Sequence, residues 1–382
     1  MPESGQCLRS NHLNPTVEGP RPLLAICYGT RPQIVKASVL IDSLGERYDL
    51  VTVDTGQHYE HELNALLHEQ LGLSAPDHVL DTGMAAEGST IETIRARAAE
   101  VLRGCLPNAV VVIGDTNSTV GCALAADALG IPVVHVEAGL RAPGSRMVEE
   151  SNRRAVDAVS TLLCAPSAHA AQNLMSERLG GTVVLTGDIA FDVLRRNIGR
   201  AARVSDESWW PLPPGEPFVL STLHRAELAE EASLLRPVLA ALGALGVPVV
   251  LPVHPRLRAA LRRDDLAAAL APSVRLAAPL GYLQTLAAIR EACVVVTDSG
   301  GVQREAYWLG TPCVTLRDET EWVETIACGA NTLVAPTRAA ADLANVVERV
   351  RLAPRRVLPA DRTAYGTGDA GPRIAQAVSR LL

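Results

Sequence analysis

Short apolar runs alternate twice along this chain with amphipathic segments of helical period, and a proline-rich break separates the two series. That alternation is the pattern of a parallel sheet wrapped by helices, because parallel strands covered on both faces read as continuous Val, Ile and Leu runs. In the first series the predicted strands are Leu23–Tyr28, Asp49–Asp54, Ala109–Ile113, Val133–Glu137, Thr161–Ala165 and Thr182–Thr186. The stretch WWPLPPGEP, Trp209–Pro217, holds four prolines and reads as a linker. The second series places strands at Phe218–Thr222, Pro248–Val253, Val274–Ala277, Val294–Thr297, Cys313–Leu316 and Thr332–Val334, and a last helix from Pro372 to Leu382. With 382 residues, 48% of them apolar, the chain exceeds what one core usually organises and fills two. The expected class is α/β, with two Rossmann-like doubly wound domains at residues 22–205 and 206–365. Residues 1–21 are expected to be a disordered or loosely attached extension, and 366–382 a loop and helix packing back toward the first domain.

Charge narrows the partners. A net charge of −7 with no local basic cluster gives no field suited to nucleic-acid phosphates, so nucleic acid is not an expected partner. The first twenty residues lack the apolar stretch of a signal peptide. The longest apolar run, Leu239–Val253, is interrupted by Gly243, Gly246, Pro248 and Pro252 and is too short to span a bilayer. The eight cysteines form no C-x-x-C pair and read as reduced core thiols, which together with the missing leader predicts a cytoplasmic protein with no membrane partner. No H-x-H, H-E-x-x-H or Cys/His cluster occurs, so no metal is expected.

In open parallel sheets the ligand lies beyond the carboxyl ends of the strands, and this chain places polar segments there. After the first, third and fourth predicted strands come GTRPQIVK (Gly29–Lys36), GDTNST (Gly114–Thr119) and HVEAGLR (His135–Arg141). The second half adds STLHRAE (Ser221–Glu227), VHPR (Val253–Arg256) and TDSGGVQREA (Thr297–Ala306). Lys36 is the only lysine among 35 basic Lys and Arg residues, a compact point charge that, with Arg31 and helix N-terminal amides, suits a phosphate oxygen. The Ser299–Gly301 turn permits close approach of a diphosphate, and Glu305 on the following helix suits ribose hydroxyls. Asp115, Glu137, Glu149 and Glu150 are acids at or just beyond strand ends, a set able to divide general acid and base roles; the alternative for each is a helix cap or an ion pair with Arg141 or Arg153. His224 and His254 each follow a strand of the second half, whereas His12, His68, His78 and His169 have no context that favours chemistry. Gly366–Gly371 matches G-x-G-x-x-G by letter, but no apolar strand precedes it and only eleven residues follow, so a bound dinucleotide cofactor is not expected.

Taken in order, GTRPQIVK, TGQHYE, GDTNST, HVEAGLR, EESNR, LHRAE, HPR, TDSGGVQREA and GTPCVTLRDETEW resemble the non-hydrolysing UDP-N-acetylglucosamine 2-epimerase family from Leu23 onward. The resemblance implies a glycosyltransferase-B-like fold with a deep interdomain cleft, a UDP-sugar substrate, no cofactor and a homodimer. It implies interconversion of UDP-GlcNAc and UDP-ManNAc by elimination of UDP to a 2-acetamidoglucal and re-addition. By the same resemblance Arg31, Lys36, His224, Ser299, Gly300, Gly301 and Glu305 bind UDP, and Asp115, Glu137, Glu149 and His224 are catalytic. Gln57, His58, Arg141, His254 and Arg317 are implied as sugar or second-site contacts. The family's Q-H-x-x-M segment ends here in His61, which unsettles activation by a second substrate molecule, and Val148 stands where a proline is usual. TEWVE (Thr320–Glu324) replaces the usual T-E-R-P-E and resembles the branch acting on UDP-2,3-diacetamido-glucuronate, the alternative substrate. A retaining glycosyltransferase shares the fold but has no need of acids clustered at the strand ends of the first domain.

Overall fold

The run Leu23–Tyr28 forms the strand β1, buried from Leu24 to Tyr28, and the remaining apolar runs follow it into parallel sheets. The structure, a computed structural model, describes residues 20–57, 67–80, 82, 90–142, 144, 148–201, 210–213, 215–268, 270–353 and 363–382. Residues 1–19 of the expected N-terminal extension, His58 and the expected boundary at 205–206 lie outside the described residues.

The first sheet continues with β2 (Asp49–Asp54), β3 (His78–Val79), β4 (Ala109–Ile113), β5 (Val133–Val136), β6 (Leu162–Ala165) and β7 (Thr182–Leu185), in the order β3-β2-β1-β4-β5-β6-β7. The second comprises β8 (Val219–Thr222), β9 (Val249–Pro252), β10 (Val274–Ala277), β11 (Val294–Thr297), β12 (Cys313–Thr315) and β13 (Asn331–Leu333), in the order β10-β9-β8-β11-β12-β13. Every pairing is parallel, as the uninterrupted apolar runs require. Counted from its own first strand, each sheet contains the order 3-2-1-4-5-6, extended by a seventh strand in the first sheet, the doubly wound order in which strand order reverses between the first and fourth strands. Those switch points are β1/β4, paired Cys27 to Val112, and β8/β11, paired Thr222 to Thr297.

Several predicted strands are a residue too long at one or both ends. Val133–Glu137 stops at Val136 because Glu137 turns to φ +69, out of the extended region. The sequence reading missed β3, whose two residues give no apolar run and which sits at a sheet edge where a short strand limits open pairing. Of the described cysteines, Cys27, Cys122, Cys164 and Cys313 are buried free thiols, and Cys105, Cys293 and Cys328 are half-buried free thiols.

The chain divides into two compact units, one of residues up to Val193 together with Tyr365–Leu382, the other of Leu194–Ala364. The last helix begins at Ala370, two residues earlier than predicted, because Asp192 accepts from the backbone N–H groups of Ala370 at 3.1 Å and Gly371 at 3.0 Å. Ile374 and Val378 of that helix are fully buried within the first unit. The glycines of the rejected dinucleotide motif have a packing purpose instead. Gly366, at φ +86, lies against Gly187, at φ +85, so closely that a Cβ on Gly366 would stand 3.0 Å from the Gly187 Cα. A Cβ on Gly371 would collide with the Ser43 hydroxyl on the helix Arg31–Gly45.

Candidate functional site

At the switch point of the first unit, Gln33 ties the two diverging loops together. It is the third residue of the helix Arg31–Gly45, after the N-cap Thr30, and is 2% exposed. Its Oε1 accepts from the N–H groups of Gly29 at 2.9 Å and Thr30 at 3.1 Å, reaching back in the manner of a capping box. Its Nε2 donates to the Ile113 carbonyl at 2.7 Å and to the hydroxyls of Thr116 and Thr119 at 3.0 and 2.9 Å. The loop after β1 is thereby fixed to the loop after β4, and Arg31, half-buried, opens the helix beside them. Gln57, after β2, accepts from Ser118 N at 3.1 Å and Ser118 Oγ at 2.6 Å in the first turn of the helix Asn117–Ala128 that follows the second loop.

The acids divide by their partners. Glu137 Oε2 meets Lys36 Nζ at 2.6 Å, both side chains nearly inaccessible. Asp115, half-buried, is held by Arg153, whose Nε donates to Oδ2 at 2.8 Å, while Asn152 Nδ2 holds the Asp115 carbonyl at 2.9 Å. Glu150 is a structural acid: it accepts from Ala142 N at 2.9 Å and Arg154 Nε at 3.0 Å and lies 3.5 Å from Arg153 Nη1. Glu149, half-buried on the same helix, Val148–Val159, has no hydrogen-bond or ion-pair partner among the described residues. Arg141 commits its donors to protein: Nε and Nη2 to Glu177, each at 2.7 Å, Nη1 to the Leu140 carbonyl at 2.8 Å, and Nη2 also to Asp157 at 2.7 Å.

The switch point of the second unit is pinned by Asp298, 1% exposed, directly after β11. Its Oδ2 accepts from the N–H groups of His224 and Arg225, each at 2.9 Å, and its Oδ1 lies 3.1 Å from His224 Nδ1. Burial pushes the Asp298 carboxyl up, but the His224 ring and the two backbone donors outweigh it and hold the acid below its ordinary range. The His224 side chain is left partly exposed, with Nδ1 facing the carboxylate. Ser299 caps the helix Gly300–Leu309, so the amides of Gly300 and Gly301 open that helix, with Glu305 half-buried one turn on. His254 caps the helix Pro255–Arg263 and its ring centroid lies 5.8 Å from that of His224, while Arg256 Nη1 donates to the His224 carbonyl at 2.9 Å. A Cβ on Gly300 would lie 3.1 Å from both Glu321 Oε1 and Trp322 Nε1, so the Thr320–Trp322 segment backs the turn. Arg304 stacks its guanidinium 3.8 Å from the Trp322 ring centroid, and Arg317 pairs with Glu321 at 3.0 Å, both buried.

Each unit thus carries its own set of polar residues at its switch point, acids in the first and a capped glycine turn beside a histidine in the second, and a sequence match extends over most of the chain. The sequence pattern of the UDP-N-acetylglucosamine 2-epimerase family covers residues 43–379. The chain belongs to that family. Within it, the chain is 39% identical over 361 residues to a UDP-2,3-diacetamido-2,3-dideoxy-D-glucuronate 2-epimerase of Pseudomonas aeruginosa, covering 92% of this chain and 98% of the relative. A crystal structure of the Methanocaldococcus jannaschii UDP-GlcNAc 2-epimerase in complex with UDP-GlcNAc and UDP superposes with a TM-score of 0.86 at 32% identity, covering 94% and 99% of the two chains. A spinosyn rhamnosyltransferase, at 15% identity and a TM-score of 0.51 over 94% and 96% of the two chains, shares the fold alone and places this 2-epimerase-family chain in the glycosyltransferase-B-like architecture. Among its described residues no helix is long and apolar enough to cross a membrane.

Three residues and one stacked pair escaped the sequence reading as functional candidates: Gln33, Asp157, Asp298 and the pair Arg304–Trp322. Gln33 had a signal, a Thr followed three residues later by Gln at a helix start. Asp298 had one too, as the acid that directly ends a buried strand.

Proposed function

We propose that this chain is an isomerase that inverts C2 of a UDP-2-acetamido sugar, UDP-GlcNAc to UDP-ManNAc, by eliminating UDP to a 2-acetamidoglucal and re-adding it. The observation that carries the reading is the buried Lys36–Glu137 pair beside Asp115, which puts acids and a compact cation at the ends of the neighbouring strands β4 and β5. The C2 proton of such a sugar has no carbonyl beside it, so its removal must be coupled to departure of a good leaving group. A base takes the C2 proton, the C–H electrons form the C1–C2 double bond, and the C1–O bond breaks onto UDP. Re-addition reverses these steps with the proton delivered to the opposite face, which needs acids on both faces. Asp115, Glu137 and Glu149 are assigned to proton transfer; Arg31, Lys36, His224, Ser299 and the amides of Gly300 and Gly301 to the diphosphate; and Glu305 to the ribose. The protein works without cofactor or metal, in the cytoplasm, as a homodimer.

A second reading, inversion at C2 of UDP-2,3-diacetamido-glucuronate, is favoured by the TEWVE segment and by the 39% identity to the P. aeruginosa enzyme of that name. One experiment tests both. Incubated in deuterated water without NAD or metal, UDP-GlcNAc gains deuterium at C2 and yields UDP-ManNAc, followed by NMR. Transfer to an acceptor without exchange overturns the epimerase reading in favour of a transferase, and exchange with the diacetamido-uronate alone moves the assignment to the second substrate.

A further inference from the structure

His135 is fully buried, yet no role in binding or proton transfer falls to it. Its ring spans two partners: Nδ1 lies 2.7 Å from Asp157 Oδ1, and Nε2 lies 2.8 Å from the carbonyl oxygen of Gly114. A carbonyl only accepts, and Asp157 is kept ionised: burial pushes its carboxyl up, but His135 and Arg141 together outweigh that and hold it below its ordinary range. Nε2 therefore donates to the Gly114 carbonyl, and Nδ1 faces the Asp157 carboxylate. Asp157 in turn accepts from Gly139 N at 3.2 Å and from Arg141 at 2.7 Å, so one carboxylate fixes His135 and the two residues that flank the turn after Glu137. The chain needs that support, because Glu137 holds φ +69 without being glycine. Gly114, also at φ +69, is the residue before Asp115, and a Cβ there would lie 3.5 Å from Glu137 Oε2. The ion pairs close around this turn, from Asp115 to Arg153, Glu150, Arg154, Glu177, Arg141 and Asp157, and so back to His135.

We propose that His135 is a positioning residue: through its two hydrogen bonds, to Asp157 and to the Gly114 carbonyl, it locks the turns that aim Asp115 and Glu137 at C2 of the sugar. The inference rests on the assignment of those acids to proton transfer. It also separates two bonds by substitution. An asparagine amide occupies the place of Nδ1 and reaches Asp157 alone, whereas a glutamine amide occupies the place of Nε2 and reaches the Gly114 carbonyl.

The test measures C2 deuterium exchange, KM and UDP affinity for the wild type and for His135→Asn, His135→Gln and Asp115→Asn, with thermal melts to establish folding. His135→Asn is expected to lose about 10²-fold in kcat, the effect of a small misplacement of a reacting group, with KM and UDP affinity within about threefold of wild type. His135→Gln, which restores the bond to Gly114, is expected to recover at least about tenfold of that loss. Wild-type kcat in His135→Asn, a loss carried by KM and UDP affinity, or a glutamine variant no better than the asparagine one overturns the proposal. Should neither variant fold, nitrogen-edited NMR of the intact wild type decides: a slowly exchanging Nε2–H proton on His135 supports the clamp and a rapidly exchanging or absent one overturns it. An inactive Asp115→Asn beside a fully active His135→Asn sinks the clamp alone, while a fully active Asp115→Asn sinks the acid assignment beneath it.

Discussion

Lys36 and Glu137 face each other at 2.6 Å, Nζ to Oε2, with side chains 9% and 5% exposed. Desolvation of both charges is offset only while both are present, so removing one leaves the other buried alone, a change that costs about 3–5 kcal/mol. Glu137→Gln is therefore expected to lower the unfolding free energy by about 3 kcal/mol in urea melts, and Lys36→Met with Glu137→Gln to lose less than the two single changes summed. Lys36→Arg keeps the charge but replaces a compact ammonium with a planar fork too large for the same place. It is expected to retain the fold and lose most C2 exchange; full activity would count against a specific role for the ammonium.

Asp298 gathers His224 N, Arg225 N and the His224 ring, and an asparagine in its place presents only one oxygen to those donors. Asp298→Asn is expected to cost about 1–3 kcal/mol and to weaken UDP binding through a freed His224, read by calorimetry. The pH dependence has a definite sign. The folded-state pKa of Asp298 is depressed, so its contribution to stability is complete above the ordinary aspartate value of about 3.9 and is lost as pH falls through the lower folded value. Urea melts at pH 7 and at decreasing acid pH should show the wild type losing its advantage over Asp298→Asn below about pH 4. A constant difference between the two proteins across that range would refute the ionised-acid account.

Much of the architecture was legible because parallel strands buried on both faces must be apolar throughout, as the fully buried AVVVI of β4 is, and because polar segments at their ends mark the switch points. What stayed hidden depends on pairings across sequence distance. Arg153 was legible as an ion-pair partner for the strand-end acids, but only the fold selects Asp115, 38 residues away, and nothing near Arg141 says that it pairs with Asp157 and Glu177. Gln33 reaches Ile113 across 80 residues, a contact that exists only because β1 and β4 are neighbours. Glu150 and Glu149 differ by one position on one helix, and only helical phase turns the first onto Ala142 and the arginines.

Gly187 and Gly366 meet backbone to backbone, both at positive φ, where the C-terminal segment joins the first unit. A methyl group on either must push the segments apart as well as strain its own backbone, a strain of about 1–3 kcal/mol. Gly187→Ala is expected to lower the melting temperature and to make the chain after Tyr365 accessible to limited proteolysis. An unchanged digestion pattern would show that the segment is held by Asp192 and the buried Ile374 and Val378 without help from this contact.

Arg304 and Trp322, 4% and 3% exposed, stack at 3.8 Å, and the segment containing Trp322 backs Gly300 of the candidate diphosphate turn. Relatives with T-E-R-P-E carry an arginine at the position of Trp322, which in this chain would place two guanidiniums face to face in a buried site. Trp322→Arg thus removes a desolvated cation–π contact of about 2 kcal/mol and adds like-charge repulsion, and the turn behind which it sits should loosen. The expected result is a protein of lower melting temperature whose affinity falls for UDP more than for uridine, because the diphosphate is what the turn holds. Adding Arg304→Glu converts the clash into an ion pair and should restore part of both losses, with a coupling energy of about 1–2 kcal/mol in the double-mutant cycle. If Arg304→Glu instead deepens the loss, the stack matters through its shape and aromatic surface rather than through charge, and the segment's residue at 322 is free to vary only with its neighbours' packing.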